Sequence, residues 1–185
     1  MAAVTPPVCN FGWKAVNFEL SDTEGKRWTL ESLRGPDGLL VMFICNHCPY
    51  VVSVIDRLCR DMKEVQALGF GVAAIMSNDI ATYPDDAPEK MKTLAREHGF
   101  TFPYLFDETQ AVARAYGAAC TPDFFGFNRD LELQYRGRLD SSGRAPATPE
   151  TRRELVDAMH QIAATGKGPQ NQVASIGCSI KWKAS

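Results

Sequence analysis

A three-layer α/β fold, with a central mixed sheet between helices, is predicted by three observations. Residues 39–45 form a continuous apolar run, as a strand buried on both faces of a parallel sheet requires. Residues 49–68 follow with apolar side chains at helical spacing, and residues 71–76 form a second apolar run. Strand, helix and strand in that order imply a right-handed parallel crossover.

Taken in order, residues 17–20 and 27–30 are short apolar–polar alternations joined through Asp22 and Gly25, which predicts an N-terminal hairpin. Gly35, Pro36 and Gly38 punctuate the chain before the strand at 39–45. In the helix that follows, Val51, Val54, Ile55, Leu58, Met62 and Val65 recur at helical spacing, and Gly69 stops the pattern. The strand at 71–76 leads into a polar, Pro-containing loop over 78–88, a helix over 89–98 and a short helix over 110–116. Residues 123–128 and 132–139 read as two strands about a turn at Arg129 and Asp130, an antiparallel hairpin completing the sheet. Thr148 as cap and Pro149 in the first turn open a last helix ending near Gly166, and a polar tail follows over 167–185. The expectation is one domain over 1–185, its core at about 12–166, with no repeat or linker.

With 185 residues, 45% hydrophobic and 23% charged, the chain can bury a real core without metals or disulfide staples. The net charge of −2 and the lack of a basic stripe exclude nucleic acid as an expected partner. The first residues lack the basic head and apolar run of a secretory signal, and the apolar run at 39–45 is too short to span a bilayer. A cytoplasmic location, with no membrane partner, is the expectation. In that compartment the six cysteines are expected to be catalytic, sensing, metal-binding or buried rather than a disulfide framework.

Cys45 and Cys48, separated by Asn46 and His47 and followed by Pro49, carry the chemistry. Cys-x-x-Cys is a common spacing, but a strand before it and a helix after it, within an alternating α/β chain, mark a thioredoxin-like redox turn. Such a turn places Cys48 in the first helical turn, where unpaired N–H groups and the helix dipole favour a thiolate. Pro49 fits because its missing N–H is not needed there. His47, when protonated, adds a positive charge between the sulfurs. One sulfur attacks a substrate disulfide and the other releases the product, so no cofactor is required. Cys45, at the more exposed end of the turn, is assigned as nucleophile and Cys48 as the resolving thiol.

Cys120, Thr121 and Pro122 precede the strand at 123. A cis Thr121–Pro122 bond would offer Thr121 backbone groups to an extended substrate beside the thiols; a trans bond would simply start the strand. Thr121 and Pro122 are therefore candidate substrate-binding residues. Cys59 lies three helical turns from Cys48, about 16 Å away, and is expected in the core. His98 and His160 are expected at the surface or in packing, and the acidic loop 83–88 as a solvated connection or the border of a substrate groove.

Residues 12–20 with Gly25, residues 41–51, Asp107, Tyr116 and Gly117, residues 120–125, residues 135–137 and the tail 177–183 together resemble peroxiredoxin-like members of the alkyl hydroperoxide reductase and thiol-specific antioxidant (AhpC/TSA) family, within the thioredoxin superfamily. The resemblance covers nearly the whole chain. It implies a redox-active disulfide and an antioxidant role, with a protein or small-molecule disulfide or thiol as substrate and a cellular thiol such as thioredoxin or glutathione as reductant. Because the tail matches, Cys178 joins Cys120 as a candidate auxiliary redox thiol.

The chain also departs from its relatives. Peroxiredoxins carry a Thr three residues before the peroxidatic Cys and an Arg near the later strand; here Cys48 and Pro49 match, but Cys45 stands at the Thr position and residues 118–125 contain no Arg. Thioredoxins bury an Asp on the strand before the motif, whereas residues 39–44 are all apolar, so proton transfer needs water or another group. The order Cys-x-His-Cys resembles the bacterial oxidant DsbA, which implies a more oxidising pair than thioredoxin's. Two rival readings are a thiol peroxidase with Cys48 peroxidatic and Cys45 condensing, and a metal module using Cys45, His47 and Cys48 with Cys120 or Cys178. The second lacks the paired ligand spacing of structural zinc sites, and no metal is expected.

Overall fold

The computed structural model describes residues 3–184. Along the chain lie β1 (Ala3–Val4), β2 (Glu19–Asp22), β3 (Arg27–Thr29), α1 (Leu30–Leu33), β4 (Gly38–Phe43), α2 (Pro49–Val52), α3 (Ile55–Ala67) and β5 (Phe70–Met76). After them come α4 (Pro88–Glu97), β6 (Tyr104–Phe106), α5 (Ala111–Tyr116), β7 (Cys120–Thr121), β8 (Asp123–Phe127), β9 (Leu133–Tyr135), α6 (Glu154–Thr165) and β10 (Gly177–Ser179).

Seven strands form the main sheet in the order β3-β2-β6-β5-β4-β8-β9, and β1-β10-β7 form a small second sheet. β4 lies inside the main sheet, between β5 and β8. It runs parallel to β5, with Leu39 opposite Gly71 and Phe43 opposite Ile75, and antiparallel to β8, with Phe43 opposite Asp123. Because side chains alternate along a strand, Leu40, Met42 and Ile44 meet Leu58 and Met62 of α3 and Leu155 and Met159 of α6. Leu39, Val41 and Phe43 meet Val112, Ala113 and Tyr116 of α5 on the other face. All six β4-side residues are buried, which is why this segment reads as an unbroken apolar run. Each such side chain contributes roughly 1.5–3 kcal/mol of burial energy. The thiols therefore follow directly on a strand buried on both faces.

The fold expected from the sequence forms, and the differences have local causes. Gly25, at φ 82°, closes the N-terminal hairpin, but Leu30 leaves the strand to open α1, where Thr29 and Ser32 complete a capping box. The expected helix over 49–68 is split at Ser53 and Val54, within a run of β-branched Val51, Val52, Val54 and Ile55 that crowds a helical backbone. The last helix begins at Glu154, not at Thr148. Thr148 instead closes a turn, its Oγ1 accepting from Glu150 N at 3.3 Å, and Ser141 N donates to Arg152 O at 3.0 Å, closing the intervening chain into a loop of turns. The expected strand over 132–139 shrinks to β9, behind a register shift at Gly126 and Phe127. The tail is not a solvated appendage: β10 pairs with β7, and Cys178 and Ile180 are buried.

Candidate active site

Cys45 leaves the end of β4 and Cys48 is the N-cap of α2, its carbonyl accepting from Val51 N and Val52 N at 2.9 Å each. Pro49 stands at the first helical position, as expected. Both cysteines are buried, Cys45 1% and Cys48 0% exposed, so neither end of the turn is open to solvent and exposure does not single out Cys45. α2 spans only four residues, so the dipole of a long helix is not what acts on Cys48.

Side-chain donors do that work. In its thiol form Cys48 donates to the Thr121 carbonyl oxygen at 3.1 Å, and Cys45 Sγ lies 3.4 Å from Thr121 Oγ1. Once Cys48 ionises, it can no longer donate and becomes an acceptor. The Cys45 thiol is the largest influence, followed by the Thr121 hydroxyl and by the side chain and backbone N–H of Cys178; together they outweigh burial and pull the Cys48 pKa well below the ordinary thiol range. The same hydrogen bond, then burial, then the Asp86 carboxylate push Cys45 strongly up. The electrostatics thus favour Cys48, not Cys45, as the thiolate.

Thr121 is held by the bond to Pro122, which is cis, as the sequence allowed. Its edge is not free for a substrate, however. Thr121 is already paired antiparallel with Cys178 of β10.

His47 does not stand between the sulfurs. Its ring stacks on Tyr83 at 5.5 Å and an interplanar angle of 4°, and its Nδ1 lies 2.8 Å from Asp86 Oδ2. That approach is short but off the in-plane N–H direction, so both ring nitrogens lack an aligned hydrogen bond. Asp86 is fully buried and accepts from Asn46 N and Asn78 Nδ2 at 2.8 Å each. The ligating atoms of Cys45, His47 and Asp86 lie within 4.8 Å of one another. A buried carboxylate therefore reaches the site from the loop after β5 rather than from the strand before the motif. Tyr104 completes this wall, its hydroxyl donating to Asn46 Oδ1 at 3.0 Å.

The rival metal set is not assembled as the sequence grouped it, since the third group beside Cys45 and His47 is Asp86. Cys178 touches Cys48, and burial followed by that contact holds its pKa up. Cys120, also fully buried, donates to Pro122 O at 3.5 Å and is held in the thiol form chiefly by burial. Cys59 is in the core, its pKa pushed up to about 11 by burial, and half-buried Cys9 is raised to about 11 for the same reason. His98 and His160 pair at the surface with Asp56 and Glu64, at 2.9 Å each. Arg136, from the motif at 135–137, is committed elsewhere: it bonds Asp123 at 2.9 Å and Gly117 O at 2.9 Å, and stacks on Phe125.

Sequence reasoning offered the loop 83–88 only as a solvated connection or a groove border, without a role for Asp86 or Tyr83, and missed Tyr104. The only local signal was an acidic residue in a Pro-punctuated loop after a buried strand, which more often marks a solvated connection.

The family model for the AhpC/TSA family matches residues 11–136. The thiol-disulfide oxidoreductase ResA of Bacillus anthracis is 28% identical over 122 residues, an alignment that spans 64% of this chain and 64% of ResA, just under two thirds of either. Among solved structures, an uncharacterized conserved protein from Geobacillus kaustophilus matches with 44% identity and a TM-score of 0.93, covering 100% of this chain and 98% of that one. The thioredoxin domain of a thiol-disulfide oxidoreductase from Bacteroides vulgatus matches at 16% identity and a TM-score of 0.57, over 68% of this chain and 86% of that one, a likeness of fold alone. With a thioredoxin-like sheet, a two-cysteine turn at the end of β4 and a family match over most of its length, the chain belongs to the AhpC/TSA family.

Proposed function

We propose that this protein is a thiol-disulfide oxidoreductase in which Cys48 is the nucleophile and Cys45 the resolving thiol. What supports the reading is the opposed tendency of the two thiols, Cys48 toward thiolate and Cys45 toward thiol, each set chiefly by the other, in a turn where Cys48 Sγ lies 3.1 Å from the Thr121 carbonyl oxygen and Cys45 Sγ 3.4 Å from the Thr121 hydroxyl. The similarity to ResA supports the same class of chemistry.

The Cys48 thiolate attacks one sulfur of a substrate disulfide; a Cys48–substrate disulfide forms and the other half leaves as a thiolate. Cys45 then gives up its proton and attacks Cys48 Sγ, so that the Cys45–Cys48 disulfide forms and the second half-substrate leaves as a thiolate. Two electrons pass from the protein dithiol to the substrate. His47 and Asp86, beside Cys45, are the groups that take its proton, a role for which β4 offers no side chain. A cellular dithiol or glutathione closes the cycle by reducing the Cys45–Cys48 disulfide. The substrate is a protein or small-molecule disulfide. With Cys45 at the position where peroxiredoxins carry a Thr and Arg136 tied to Asp123, disulfide exchange fits these groups better than peroxide reduction.

The test is trapping on a thiol column. Cys45→Ser, with the Cys178 thiol also removed, is expected to retain a mixed disulfide at Cys48, whereas Cys48→Ser retains none; the opposite pattern contradicts the assignment.

A further inference from the structure

β10 lies where an extended substrate was expected. Thr121, beside both active thiols, offers its backbone to one strand, and that strand is the chain's own: Cys178 pairs with Thr121 and Ser179 with Cys120. The approach is close. A Cβ on Gly177 would stand 2.0 Å from the Thr121 carbonyl oxygen and 3.1 Å from Pro122 N, so only glycine admits β10 to this depth. The strand is fastened at both ends. Ser175 Oγ donates to Pro122 O at 2.7 Å, and Lys181 N donates to Asn78 Oδ1 at 2.9 Å. This register sets Cys178 opposite Thr121, whose carbonyl oxygen is 3.1 Å from Cys48 Sγ, so the Cys178 thiol and N–H face Cys48 and help draw its pKa down. Cys178 thus sits as the sulfur of a docked substrate would, and is itself 4% exposed.

We propose that β10 is a built-in occupant of the substrate edge and that Cys178 exchanges disulfides with Cys48, making the site a relay of three thiols: Cys45, Cys48 and Cys178. The inference rests on the oxidoreductase reading above. After Cys48 has formed a disulfide with a substrate half, Cys178 loses its proton and attacks Cys48 Sγ; the Cys48–Cys178 bond forms and the substrate half leaves as a thiolate. Alternatively Cys178 attacks Cys48 in the Cys45–Cys48 disulfide: that bond breaks, the Cys48–Cys178 bond forms, and Cys45 takes up the proton that Cys178 lost. The second exchange is redox-neutral and needs no outside reagent. While β10 is seated, Thr121 has no backbone edge left for a peptide, which directs the site toward disulfides small enough to reach Cys48 without strand pairing.

Cys45→Ser decides the matter. Treated with oxidised glutathione and mapped by mass spectrometry after alkylation, this full-length variant is expected to convert its Cys48–glutathione adduct into an intramolecular Cys48–Cys178 disulfide, because a docked thiol outcompetes free glutathione by about tenfold or more. Cys45→Ser/Cys178→Ser is expected to keep the adduct. A stable adduct in Cys45→Ser with Cys178 still open to alkylation overturns the proposal, and so does a folded Cys45→Ser protein in which Cys48 never reacts. Gly177→Val, which displaces β10 without altering a thiol, is expected to lose the Cys48–Cys178 link at least tenfold in yield on a Cys45→Ser background. An undiminished link there also overturns the proposal, because docking would then not deliver the thiol. Wild-type protein that forms the Cys45–Cys48 disulfide but shows no Cys48–Cys178 bond at any time or glutathione ratio refutes the relay and leaves the oxidoreductase reading standing; no disulfide at Cys48 in any variant refutes both.

Discussion

Thr121 meets Cys48 through its carbonyl oxygen, 3.1 Å from the sulfur, so one residue of the β7 edge both accepts from the Cys48 thiol and pairs with β10. A neutral Cys48 can use that acceptor; a thiolate cannot. The ionised form depends instead on donors, and the first of these is the Cys45 thiol. Reactivity at Cys48 therefore reports directly on the state of Cys45.

Alkylation of Cys48 should persist on the acid side of the ordinary thiol range, because its pKa is lowered in the fold. Replacing the donor by Cys45→Ala should move the midpoint of the rate–pH profile upward by about 1 unit or more. The profile is read with iodoacetamide on the reduced protein. An unmoved midpoint would show that Cys45 does not hold the thiolate.

The same shift couples to stability. A group whose folded pKa is depressed stabilises the fold above its unfolded pKa and loses that contribution as pH falls through the folded value. Reduced wild-type protein should accordingly lose stability on acidification more steeply than Cys48→Ala between the ordinary thiol range and the lowered Cys48 value. Denaturant midpoints for both proteins across that window provide the comparison.

Asp86 is fully buried, touches His47 and faces Cys45. Asp86→Asn keeps its size and part of its hydrogen bonding but removes the carboxylate that would accept the Cys45 proton. Release of a mixed disulfide from Cys48 should slow by roughly 10- to 100-fold, a general-base contribution. Alkylation of Cys48 is expected to stay unchanged, since Asp86 is not among the groups that chiefly set its pKa. Slowing of both steps alike would point to a structural defect.

Arg136 and Asp123 form a buried pair at 2.9 Å, with burial holding the Asp123 pKa up against its partner. Arg136→Met leaves that carboxyl without its cation and should cost about 3–5 kcal/mol. Urea unfolding measures the loss. A change near zero would mean that Asp123 simply takes up a proton.

Much of this architecture was legible because its signals are local. The apolar run ending at Ile44 announced a buried strand, and Cys45, Cys48 and Pro49 announced the turn that follows it. Asp86 was not legible, since a loop acid reveals its burial only when a distant Asn46 N–H and Asn78 amide are seen to bind it. β10 was hidden for a similar reason. Ile176, Cys178 and Ile180 alternate over too few residues to declare a strand, and the partner lies more than fifty residues upstream at Thr121. The roles proposed for Cys45 and Cys48 were hidden on the same ground, because exposure and donors around a turn come from the strands packed over it.

The central claim is that Cys45 and Cys48 form a reversible redox pair with Cys48 as its reactive member. Equilibrating the protein with reduced and oxidised glutathione, and mapping every disulfide by mass at each ratio, tests it most directly. The account predicts a two-electron transition in which Cys48 is oxidised first, carried as a bond to Cys45 in the wild type. Cys48 remaining a free thiol at every ratio, in protein that is folded throughout, would contradict it.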